Sequence, residues 1–389
     1  MPSRPLIVLA GGATGGHLFP AVAVAEAIQQ ANREIELLVL ATDRPLDRAI
    51  LKATTIAWRP QPVRPLPERP WHFPAFYLAW RRSLGLVRQL MRRHRPAAVL
   101  GTGGYGAGPP VRAARLLDVP TALLNPDRLP GRANRHLASW AKIVFAQWPQ
   151  SAAAFPPSVD VRAVGCPVRR AFREATRAEG VVKFGLDPDR KTLLITGASQ
   201  GARTVNRAMI CLLCRLAEHR AWQVLHLSGE LDYAEVRQAY AAAGLARTVI
   251  AFTDSMAHAM AAADLVVSRA GASTLAELTC MGLPSVLVPY PFDRQRHQLA
   301  NARVLSEAGA AVLVDDQIDP QRNAALLGPT LDTLMGDPGK LEAMSLAARQ
   351  LARPDAAEVV AKDLLELAGV CPKRGGDPVA PATPRDQLS

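Results

Sequence analysis

Residues 268–302 read SRAGASTLAELTCMGLPSVLVPYPFDRQRHQLANA, and this stretch is typical of a parallel α/β sheet with a ligand crevice at the strand ends. A small-residue loop follows an apolar strand and opens a helix that carries Glu277. A second strand, Pro284 to Pro289, leads into a polar loop with His297 and Gln298. Loops at the ends of neighbouring parallel strands form a crevice lined by backbone N–H groups, which suits a phosphorylated sugar or nucleotide. Glu277 is able to accept the two hydroxyl hydrogens of a ribose diol.

The alternation of short apolar strands and helices extends through the whole chain. In the first half we predict a helix at about 20–30 and strands at Leu6–Ala10, Glu36–Ala41, Ala97–Leu100 and Thr121–Leu124. In the second half we predict strands at Lys191–Thr196, Gln223–Leu227, Thr248–Phe252, Leu265–Val267, Pro284–Pro289 and Ala311–Val314. This pattern predicts an α/β protein with two Rossmann-like domains, whose parallel sheets face each other across a ligand-binding cleft.

Length and composition agree with two globular domains. The chain has 389 residues, 49% of them apolar, and no apolar run reaches the roughly 20 residues of a membrane span. We expect a first domain at 1–164, a second at 165–340, a helical segment at 341–370 that crosses back to the first domain, and a disordered tail at 371–389.

The charge is uneven along the chain. Residues 1–164 hold 21 Lys and Arg against 9 Asp and Glu, whereas the rest hold 25 of each, so the first half carries the whole net charge of +12. This asymmetry indicates an anionic partner for the first domain. The five cysteines fit a reducing compartment such as the cytoplasm. Cys211 and Cys214 lie in an apolar helical run, which predicts a buried helix face rather than a metal or redox pair.

A glycine-rich loop at 11–16 leads into the first helix, with His17 in its first turn. The missing side chains let backbone N–H groups approach a ligand, and the positive end of the helix favours an anion. The same field disfavours an imidazolium, so we expect a lowered pKa for His17 and a role as general base. The alternative is a polar residue that only caps the helix.

Two further small-residue loops follow predicted strands, at 101–109 and 197–202. Either of them, taken alone, is also compatible with a simple tight turn. Two glycine loops on the first sheet form a cradle for a diphosphate, and the third loop adds the Ser199 hydroxyl. Combined with 268–302, the third loop predicts nucleotide-diphosphate binding in the second domain.

Residues 71–95 combine aromatic side chains with arginines at helical spacing. This pattern is typical of the headgroup region of an anionic membrane, and the alternative is a stripe that packs into its own domain. Nucleic-acid binding is not predicted, because no recognition helix or stacking sheet accompanies the charge. The predicted membrane residues are Trp71, Phe73, Phe76, Tyr77, Trp80, Arg81 and Arg82.

The ordered motifs resemble one family, the MurG-type UDP-GlcNAc transferases that complete the lipid-linked disaccharide of bacterial peptidoglycan. The resemblance covers about residues 6–367 through GGATGGHLFP, GTGGYGAGP, PGRAN, GCPVR, GASQGA, SRAGASTLAE and HQLANA. It implies a GT-B fold and a peripheral enzyme on the cytoplasmic face of the bacterial inner membrane. The implied pathway is peptidoglycan synthesis, with its consequences for cell shape and division, and no metal or other cofactor is implied.

The resemblance also implies residue roles. The second domain is expected to bind UDP-GlcNAc, with Glu277 at the ribose, Arg169 and Ser199 near the diphosphate and Thr253 at the uracil. The implied donor site also includes Thr14, Gly15, Gly16, Gln200, Arg269, Ala272, Ser273, Thr274, His297 and Gln298. The first domain is expected to receive undecaprenyl-diphosphate-linked muramyl-pentapeptide through Gly103, Gly104, Tyr105, Asp127 and Asn134. The patch at 71–95 is expected to dock on the membrane.

The implied reaction is an inverting transfer. His17 assists deprotonation of the muramyl 4-hydroxyl, and helix N-termini with Arg169 stabilise the departing UDP. The chain departs from the family at 124–127, which read Leu-Asn-Pro-Asp where His-Glu-Gln-Asn is usual. Asp127 is a candidate to replace the missing carboxylate, at a shifted position. This departure leaves two alternatives: a divergent relative that uses another lipid or polyprenyl acceptor, or a weakly active UDP-sugar-binding scaffold at the membrane.

Overall fold

The computed structural model describes residues 4–197 and 201–370 and contains two parallel sheets. The first sheet comprises β1 (Leu6–Ala10), β2 (Glu36–Thr42), β3 (Ala57–Gln61), β4 (Ala98–Gly101), β5 (Thr121–Asn125), β6 (Ile143–Ala146) and β7 (Asp160–Ala163). The second comprises β8 (Lys191–Thr196), β9 (Trp222–Leu227), β10 (Arg247–Ile250), β11 (Leu265–Ser268), β12 (Ser285–Leu287) and β13 (Ala311–Leu313). The predicted tail at 371–389, Ser199 and Gln200 lie outside the described residues.

Helices connect the strands and cover both faces of each sheet. In the first half they are α1 (Gly15–Ala31), α2 (Pro45–Lys52), α3 (Phe73–His94), α4 (Gly108–Leu116) and α5 (Arg132–Leu137). They continue as α6 (Ala171–Glu174), α7 (Arg177–Phe184), α8 (Arg203–Cys211), α9 (Leu213–Glu218), α10 (Tyr233–Ala241) and α11 (Met256–Ala261). The last are α12 (Ala272–Met281), α13 (His297–Glu307), α14 (Pro320–Gly336), α15 (Pro338–Leu351) and α16 (Ala356–Leu367).

The strand order places the predicted loops at functional positions. The first sheet runs β3-β2-β1-β4-β5-β6-β7 and the second runs β10-β9-β8-β11-β12-β13. The order therefore reverses between β1 and β4 in the first sheet, and between β8 and β11 in the second. Such switch points open a crevice at the carboxyl ends of the strands. All the glycine-rich loops, and the loop after β11, leave strands that flank a switch point.

The ten predicted strands are present, most within two residues of the predicted bounds, whereas β3, β6 and β7 were missed. β3 contains Pro60, and β7 is mostly exposed, because both are edge strands with only one neighbour. An edge strand does not need the continuous apolar run that marks a strand buried on both faces. β6 is buried but has only four residues, which is too short to distinguish from a loop by pattern.

The last helix of the described chain packs on the first domain. α16 lies against α1, and its Val360, Ala361 and Leu364 are buried among the side chains of the first sheet. Burial of one leucine side chain stabilises a fold by about 1.5–3 kcal/mol. α15, in contrast, stays with the second domain and buries Ala348 in that core. The return to the first domain therefore begins after α15.

The expectation of a buried face for Cys211 and Cys214 is wrong, since both cysteines are exposed. The apolar run does not form one continuous helix. It breaks at Leu212, which ends α8 and precedes α9. The break turns Leu212 and Leu213 inward, and the two cysteines remain outside as free thiols.

Candidate functional site

A buried carboxylate holds the first glycine loop. Asp47 accepts hydrogen bonds from the Ala13 N–H at 3.1 and 2.8 Å and from the Thr42 hydroxyl at 2.6 Å. Ala13 has a left-handed φ of 76°, and this conformation is energetically unfavourable for any residue that carries a Cβ. The N–H of Ala13 is therefore already used. The N–H groups of Gly15 and Gly16, in the first turn of α1, have no partner within the helix and remain for a ligand.

The tautomer of His17 is set by the second glycine loop. The His17 Nδ1 lies 3.1 Å from the Thr102 carbonyl oxygen. A carbonyl only accepts, so Nδ1 carries the proton in the neutral ring and Nε2 has the free lone pair. A Cβ at Gly103 would lie 2.8 Å from Nδ1, and one at Gly104 would lie 3.0 Å from the ring carbon Cδ2. Glycine is therefore required where this loop wraps around the imidazole.

The pKa of His17 is lowered, as the sequence predicts. Burial is the main cause, because it disfavours the charged imidazolium. The carboxylate of Asp127 is the strongest opposing influence, followed by the bond to Thr102. His17 is therefore neutral at physiological pH, as a general base must be before it takes a proton.

Asn134 leaves an unsatisfied oxygen beside His17. Its Nδ2 donates to the Leu124 carbonyl at 3.0 Å and to the Asn125 Oδ1 at 3.2 Å. Its own Oδ1 is buried without a partner in the described part of the chain. This oxygen is 3.6 Å from where a Cβ of Gly103 would lie. A substrate hydroxyl or amide that donates to this oxygen would remove the cost of leaving it unpaired.

Asp127, a predicted acceptor residue, has one carboxylate oxygen against the second domain. The Asp127 Oδ1 accepts a hydrogen bond of 2.9 Å from the Nδ2 of Asn301, in α13. On the same helix, the His297 Nδ1 donates to the Leu129 carbonyl at 2.9 Å. His297, predicted as a donor ligand, is therefore used at Nδ1 for a contact between the domains.

Glu277 is buried in α12 close to the cleft, with 8% of its surface exposed. Burial raises its pKa to about 7, and the positive charge of Arg169 opposes this rise. The carboxylate takes no hydrogen bond from any described residue, so both oxygens are available to hydroxyl donors. The N-terminal turn of α12 approaches α1: the Ser273 Oγ lies 3.9 Å from where a Cβ of Gly16 would be.

Arg169 sits between the domains without a carboxylate partner among the described residues. Its guanidinium lies 4.6 Å from the Phe19 ring centre, in α1, and 5.3 Å from that of Phe172. The Nε is buried with no hydrogen bond to any residue that the structure describes. An arginine held by ring faces keeps its donors free for an anion. A position near a diphosphate stays a prediction for Arg169.

Arg269 is used inside the second domain. Its Nη1 contacts the Asp316 Oδ2 at 2.7 Å and the carbonyls of Val288 and Pro289 at 3.0 and 3.2 Å. Its Nη2 donates to the Thr204 hydroxyl at 2.7 Å. Burial would raise the pKa of Asp316, but hydrogen bonds from Thr204, Asn323 and Arg269 outweigh it and keep the pKa low. Arg269 thus supports the loop after β12.

Gln298 has a similar structural function. Its Oε1 accepts the N–H groups of Ala270 at 3.3 Å and Tyr290 at 3.0 Å, so it joins the loops that follow β11 and β12. Thr253 lies after β10, where its hydroxyl accepts the Ser255 N–H at 3.0 Å and closes a turn. Both side chains still lie at the carboxyl edge of the second sheet.

The structure exposes only some of the residues of the predicted membrane patch. Trp71, Phe73 and Tyr77 are exposed, at 68%, 49% and 59%, together with Arg81 and Arg82. Phe76 and Trp80 are only half-exposed, and the Trp80 ring covers Gly108, where a Cβ would lie 2.6 Å from it. No helix in the described part of the chain is long and apolar enough to cross a membrane.

Comparison with known proteins agrees with this arrangement. Residues 7–146 match the N-terminal domain of glycosyltransferase family 28, and residues 192–360 match its C-terminal domain. The chain is 39% identical over 372 residues to the UDP-N-acetylglucosamine–N-acetylmuramyl-(pentapeptide) pyrophosphoryl-undecaprenol N-acetylglucosamine transferase of Alkalilimnicola ehrlichii, covering 94% of this chain and 99% of the relative. The chain belongs to the MurG family of glycosyltransferases.

Two further relatives support the family and the fold. The enzyme of the same name from Desulforudis audaxviator is 37% identical over 371 residues, covering 93% of this chain and 98% of that relative. The crystal structure of Acinetobacter baumannii MurG superposes with a TM-score of 0.69 at 28% identity, covering 93% of this chain and 99% of that one. The protein is thus an enzyme with the GT-B fold, as the sequence predicted.

Three residues that shape the site were not predicted. Asn301 is in the quoted motif HQLANA, but nothing local marks it as an interdomain contact. Asp47 and Asp316 are carboxylates distant in sequence from the groups they hold, and each is fully buried or nearly so. Buried carboxylates are rare unless they are paired, but a sequence does not show which ones are buried.

Proposed function

We propose that the protein transfers GlcNAc from UDP-GlcNAc to the 4-hydroxyl of undecaprenyl-diphosphate-linked muramyl-pentapeptide, and so forms the lipid-linked disaccharide precursor of peptidoglycan. One observation carries this proposal: His17 presents an unprotonated Nε2 between two glycine-rich loops. The name of a relative that is 39% identical supplies the reaction and both substrates. Residues 1–164 would bind the acceptor and residues 165–340 the donor.

The chemistry follows from the position of the base. The acceptor hydroxyl gives its proton to the His17 Nε2 while its oxygen attacks the anomeric carbon of GlcNAc. The bond to UDP breaks on the opposite face, its electron pair leaves with the diphosphate, and the configuration inverts. Arg169, which forms no ion pair with a described carboxylate, and the N-terminus of α12 stabilise the charge on the leaving group.

The donor site would use groups with unpaired atoms. The Glu277 carboxylate accepts the ribose hydroxyls, and the N–H groups at the start of α12, from Ala272 to Thr274, face the phosphates. Arg269 and Gln298 shape the loops around the sugar. Ser199, Gln200 and Thr253 remain predicted contacts, with Thr253 at the uracil.

The acceptor site would lie on the first domain. Gly103, Gly104 and Tyr105 border His17, and their loop opens α4, so the acceptor diphosphate lies against backbone rather than side chains. The Asn134 Oδ1 accepts a hydrogen bond from the muramyl residue or its peptide. Thr14, Gly15 and Gly16 lie where the two substrates meet.

The transfer assay uses purified protein, UDP-GlcNAc and three acceptors in parallel: the muramyl-pentapeptide lipid diphosphate, the same lipid without the peptide, and no acceptor. We expect β-linked product only from the first. Transfer to the peptide-free lipid would indicate a different acceptor. UDP-GlcNAc binding without transfer to either lipid would contradict the enzymatic assignment of the acceptor and favour a scaffold.

We further propose that the protein binds the cytoplasmic face of the bacterial inner membrane through α3 and the segment before it. Trp71, Phe73 and Tyr77 form an exposed apolar face, and Arg81 lies beside the Tyr77 ring at 5.9 Å. Aromatic rings with adjacent arginines suit the interface of an anionic leaflet. No nucleic-acid partner is proposed.

Vesicle binding tests this surface. Trp71→Ser with Tyr77→Ser removes the apolar anchor, and Arg81→Gln with Arg82→Gln removes about 1 kcal/mol of attraction for each arginine. We expect both pairs to weaken binding to phosphatidylglycerol vesicles, with the arginine pair losing its effect at high salt. The control is Val182→Ser with Leu231→Ser, which changes two residues of the second domain that are 82% and 83% exposed. Equal binding by all three variants contradicts the proposal.

A further inference from the structure

Ala13, in the first glycine loop, is held at both its N–H and its carbonyl. The N–H donates to the Asp47 Oδ2 at 2.8 Å, and the carbonyl accepts the Arg44 Nη1 at 2.8 Å. The φ of 76° lies in the left-handed region, which the Cβ of an alanine disfavours. A residue keeps such a conformation only where its surroundings hold it. The conformation of this loop therefore depends on Asp47 and Arg44.

The Asp47 side chain is a fixed anchor. It is fully buried in α2 and forms no ion pair with any described residue, so hydrogen bonds alone satisfy its charge. Besides the Ala13 N–H, it accepts the Thr42 hydroxyl at 2.6 Å and the Thr42 N–H at 3.1 Å. Thr42 ends β2, which pairs with β1. The carboxylate therefore attaches the loop that follows β1 to the end of the neighbouring strand.

The first glycine loop packs directly on the second. A Cβ at Gly104 would lie 2.8 Å from the Gly12 carbonyl oxygen, and one at Gly106 would lie 2.5 Å from the Gly11 carbonyl oxygen. A real Cβ does not come so close, so the two loops touch backbone to backbone. Gly12 in turn packs on Asp47, since its own Cβ would lie 2.3 Å from the Oδ2. A continuous line of contacts thus runs from Asp47 through Gly12 to Gly104.

The second loop extends these contacts to His17. A Cβ at Gly104 would also lie 3.0 Å from the His17 Cδ2, so this glycine separates the Gly12 carbonyl from the imidazole ring. In the same loop, the Thr102 carbonyl lies 3.1 Å from the His17 Nδ1 and sets the tautomer. Thr102 also touches the first loop, because a Cβ at Gly11 would lie 2.0 Å from its Oγ1. A displacement of the first loop therefore shifts both groups that hold the imidazole.

We propose that Asp47 is a positioning residue for the transfer reaction. It fixes the Ala13 peptide, and through the packed backbones of the two glycine loops it places the Thr102 carbonyl against the His17 ring. Asp47 itself takes no proton and contacts no substrate. Without it, Ala13 relaxes out of the left-handed region, and the tautomer of His17 is no longer defined. This inference rests on the proposed role of His17 as the base.

The decisive change is Asp47→Asn, tested alone and together with Ala13→Gly. The amide keeps one acceptor oxygen but turns an NH₂ group towards N–H donors, so it no longer holds Ala13. We expect kcat to fall by about 10–10²-fold, the size of loss that follows a misplacement of about 1 Å, with the Kd for UDP within about twofold of wild type.

The second substitution tests whether the loss passes through residue 13. Glycine adopts a φ of 76° without strain, so adding Ala13→Gly to Asp47→Asn should raise kcat by about threefold or more. Ala13→Gly alone should change kcat by less than about twofold. No recovery in the double variant would contradict the proposal, since a carboxylate that only anchors α2 is insensitive to the residue at position 13.

Asp264→Asn is the matched control. The Asp264 carboxylate also accepts a backbone N–H, that of Thr192 at 2.7 Å, and it pairs with Arg177 at 2.9 Å. It precedes β11, so it lies at the edge of the second sheet opposite to the carboxyl ends of the strands. We expect Asp264→Asn to lower the melting temperature and to leave kcat within about twofold of wild type. An equal loss of kcat in both variants at equal loss of stability would overturn the inference.

¹⁵N NMR of the His17 ring separates this inference from the proposed acceptor, because it needs no transfer. We expect a proton on Nδ1 only in wild type, a mixture of tautomers in Asp47→Asn, and recovery of the Nδ1 form when Ala13→Gly is added. Thr42→Val removes the hydroxyl bonded to Asp47 and keeps the shape of the side chain, so it gives the same readout if Asp47→Asn does not fold.

An unchanged His17 tautomer in the folded variant overturns the inference even if the transferase assay succeeds. A mixture of tautomers supports it even if the muramyl acceptor proves to be wrong.

Discussion

The two walls of the cleft use their polar motif residues in opposite ways. On the first-domain wall, one part of each of the His17 and Asn134 side chains is hydrogen-bonded. The His17 Nε2 and the Asn134 Oδ1 have no partner within residues 4–197 and 201–370. On the second-domain wall, Arg269 spends its hydrogen bonds on neighbouring loops, and the Gln298 Oε1 joins two loops while its Nε2 has no partner among the described residues. Glu277 is the charged exception on that wall, because its carboxylate has no hydrogen-bond partner among the described residues.

This difference distinguishes residues that contact a substrate from residues that support the substrate-contacting loops. A side chain with an unpaired polar atom at the cleft contributes to turnover or binding, and its loss leaves the fold intact. A side chain whose donors are all used internally contributes first to stability. We therefore expect changes on the first wall to affect kinetics, and a change of Arg269 to affect unfolding.

The largest expected effect is on turnover, from His17→Asn. The asparagine Nδ2 takes the place of Nδ1 and still donates to the Thr102 carbonyl, but nothing replaces the basic Nε2. We expect kcat to fall by about 10²–10⁴-fold, the usual contribution of a general base, measured with the muramyl-pentapeptide lipid diphosphate at saturating UDP-GlcNAc. The melting temperature should stay close to that of wild type.

A large loss of stability in His17→Asn would contradict the comparison, since it would make His17 a structural residue. Retention of more than a tenth of the wild-type kcat would remove it as the base. His136→Asn supplies a control, because His136 lies on α5 and meets the Trp140 ring edge to face, with 5.1 Å between ring centres.

The second effect is on stability, from Arg269→Met. Removal of the guanidinium leaves the fully buried Asp316 carboxylate unpaired and frees the loop after β12. We expect the free energy of unfolding to fall by about 3–5 kcal/mol, measured by urea denaturation. Arg207→Met is the matched control, since its ion pair with Glu235 is exposed on both sides and should cost less than about 1 kcal/mol.

Adding Asp316→Asn to Arg269→Met should recover part of the loss, because no unpaired charge is then buried. If Arg269→Met instead unfolds like wild type but binds UDP-GlcNAc more weakly, Arg269 is a ligand residue. The two walls of the cleft would then use their polar motif residues in the same way.

The smallest expected effect is on UDP affinity, and it concerns Glu277, the charged exception on the second-domain wall. Its pKa of about 7 in the free protein means that the ribose hydroxyls meet a carboxylate that is partly protonated at neutral pH. Because the ionised form accepts both hydroxyl hydrogens, UDP affinity should rise as the pH increases through 7 and level off above it. Glu277→Gln should bind about tenfold more weakly at pH 8 and show no such rise, as measured by calorimetry.

The Glu277 carboxylate has the opposite pH effect on the stability of the free protein. Its folded pKa lies above the unfolded value of 4.5, so the folded state binds more protons between the two values. The stability that it contributes is complete below about pH 4.5 and declines as the pH rises towards 7. Glu277→Gln should lack this decline. A pH-dependent UDP affinity that survives in Glu277→Gln would assign the titration to another group.

Much of the architecture was predictable. The strands β1 and β8, each followed by a small-residue loop and a helix, are buried apolar runs with little local ambiguity. Their pattern predicted two parallel sheets, and the motif order predicted the family. The edge strands β3 and β7 were missed because a strand with one exposed edge carries a mixed sequence.

The candidate site was only partly predictable. His17 and Glu277 lie at the positions that the loops predict, because a strand–loop–helix unit defines the geometry of its own first turn. The sequence did not predict the inward packing of Trp80 or the internal hydrogen bonds of Arg269. Both depend on partners distant in the chain, Gly108 for the tryptophan and Asp316 for the arginine.

By itself, the sequence determined the family, the two Rossmann-like domains and the loops that surround the cleft, because those features follow from local spacing of apolar and glycine residues. Only the tertiary structure decided which polar atoms remain unpaired. That choice depends on contacts between segments far apart in the chain, such as Asn301 with Asp127, which lie 174 residues apart. Unpaired atoms carry the chemistry, and a linear pattern does not contain their partners.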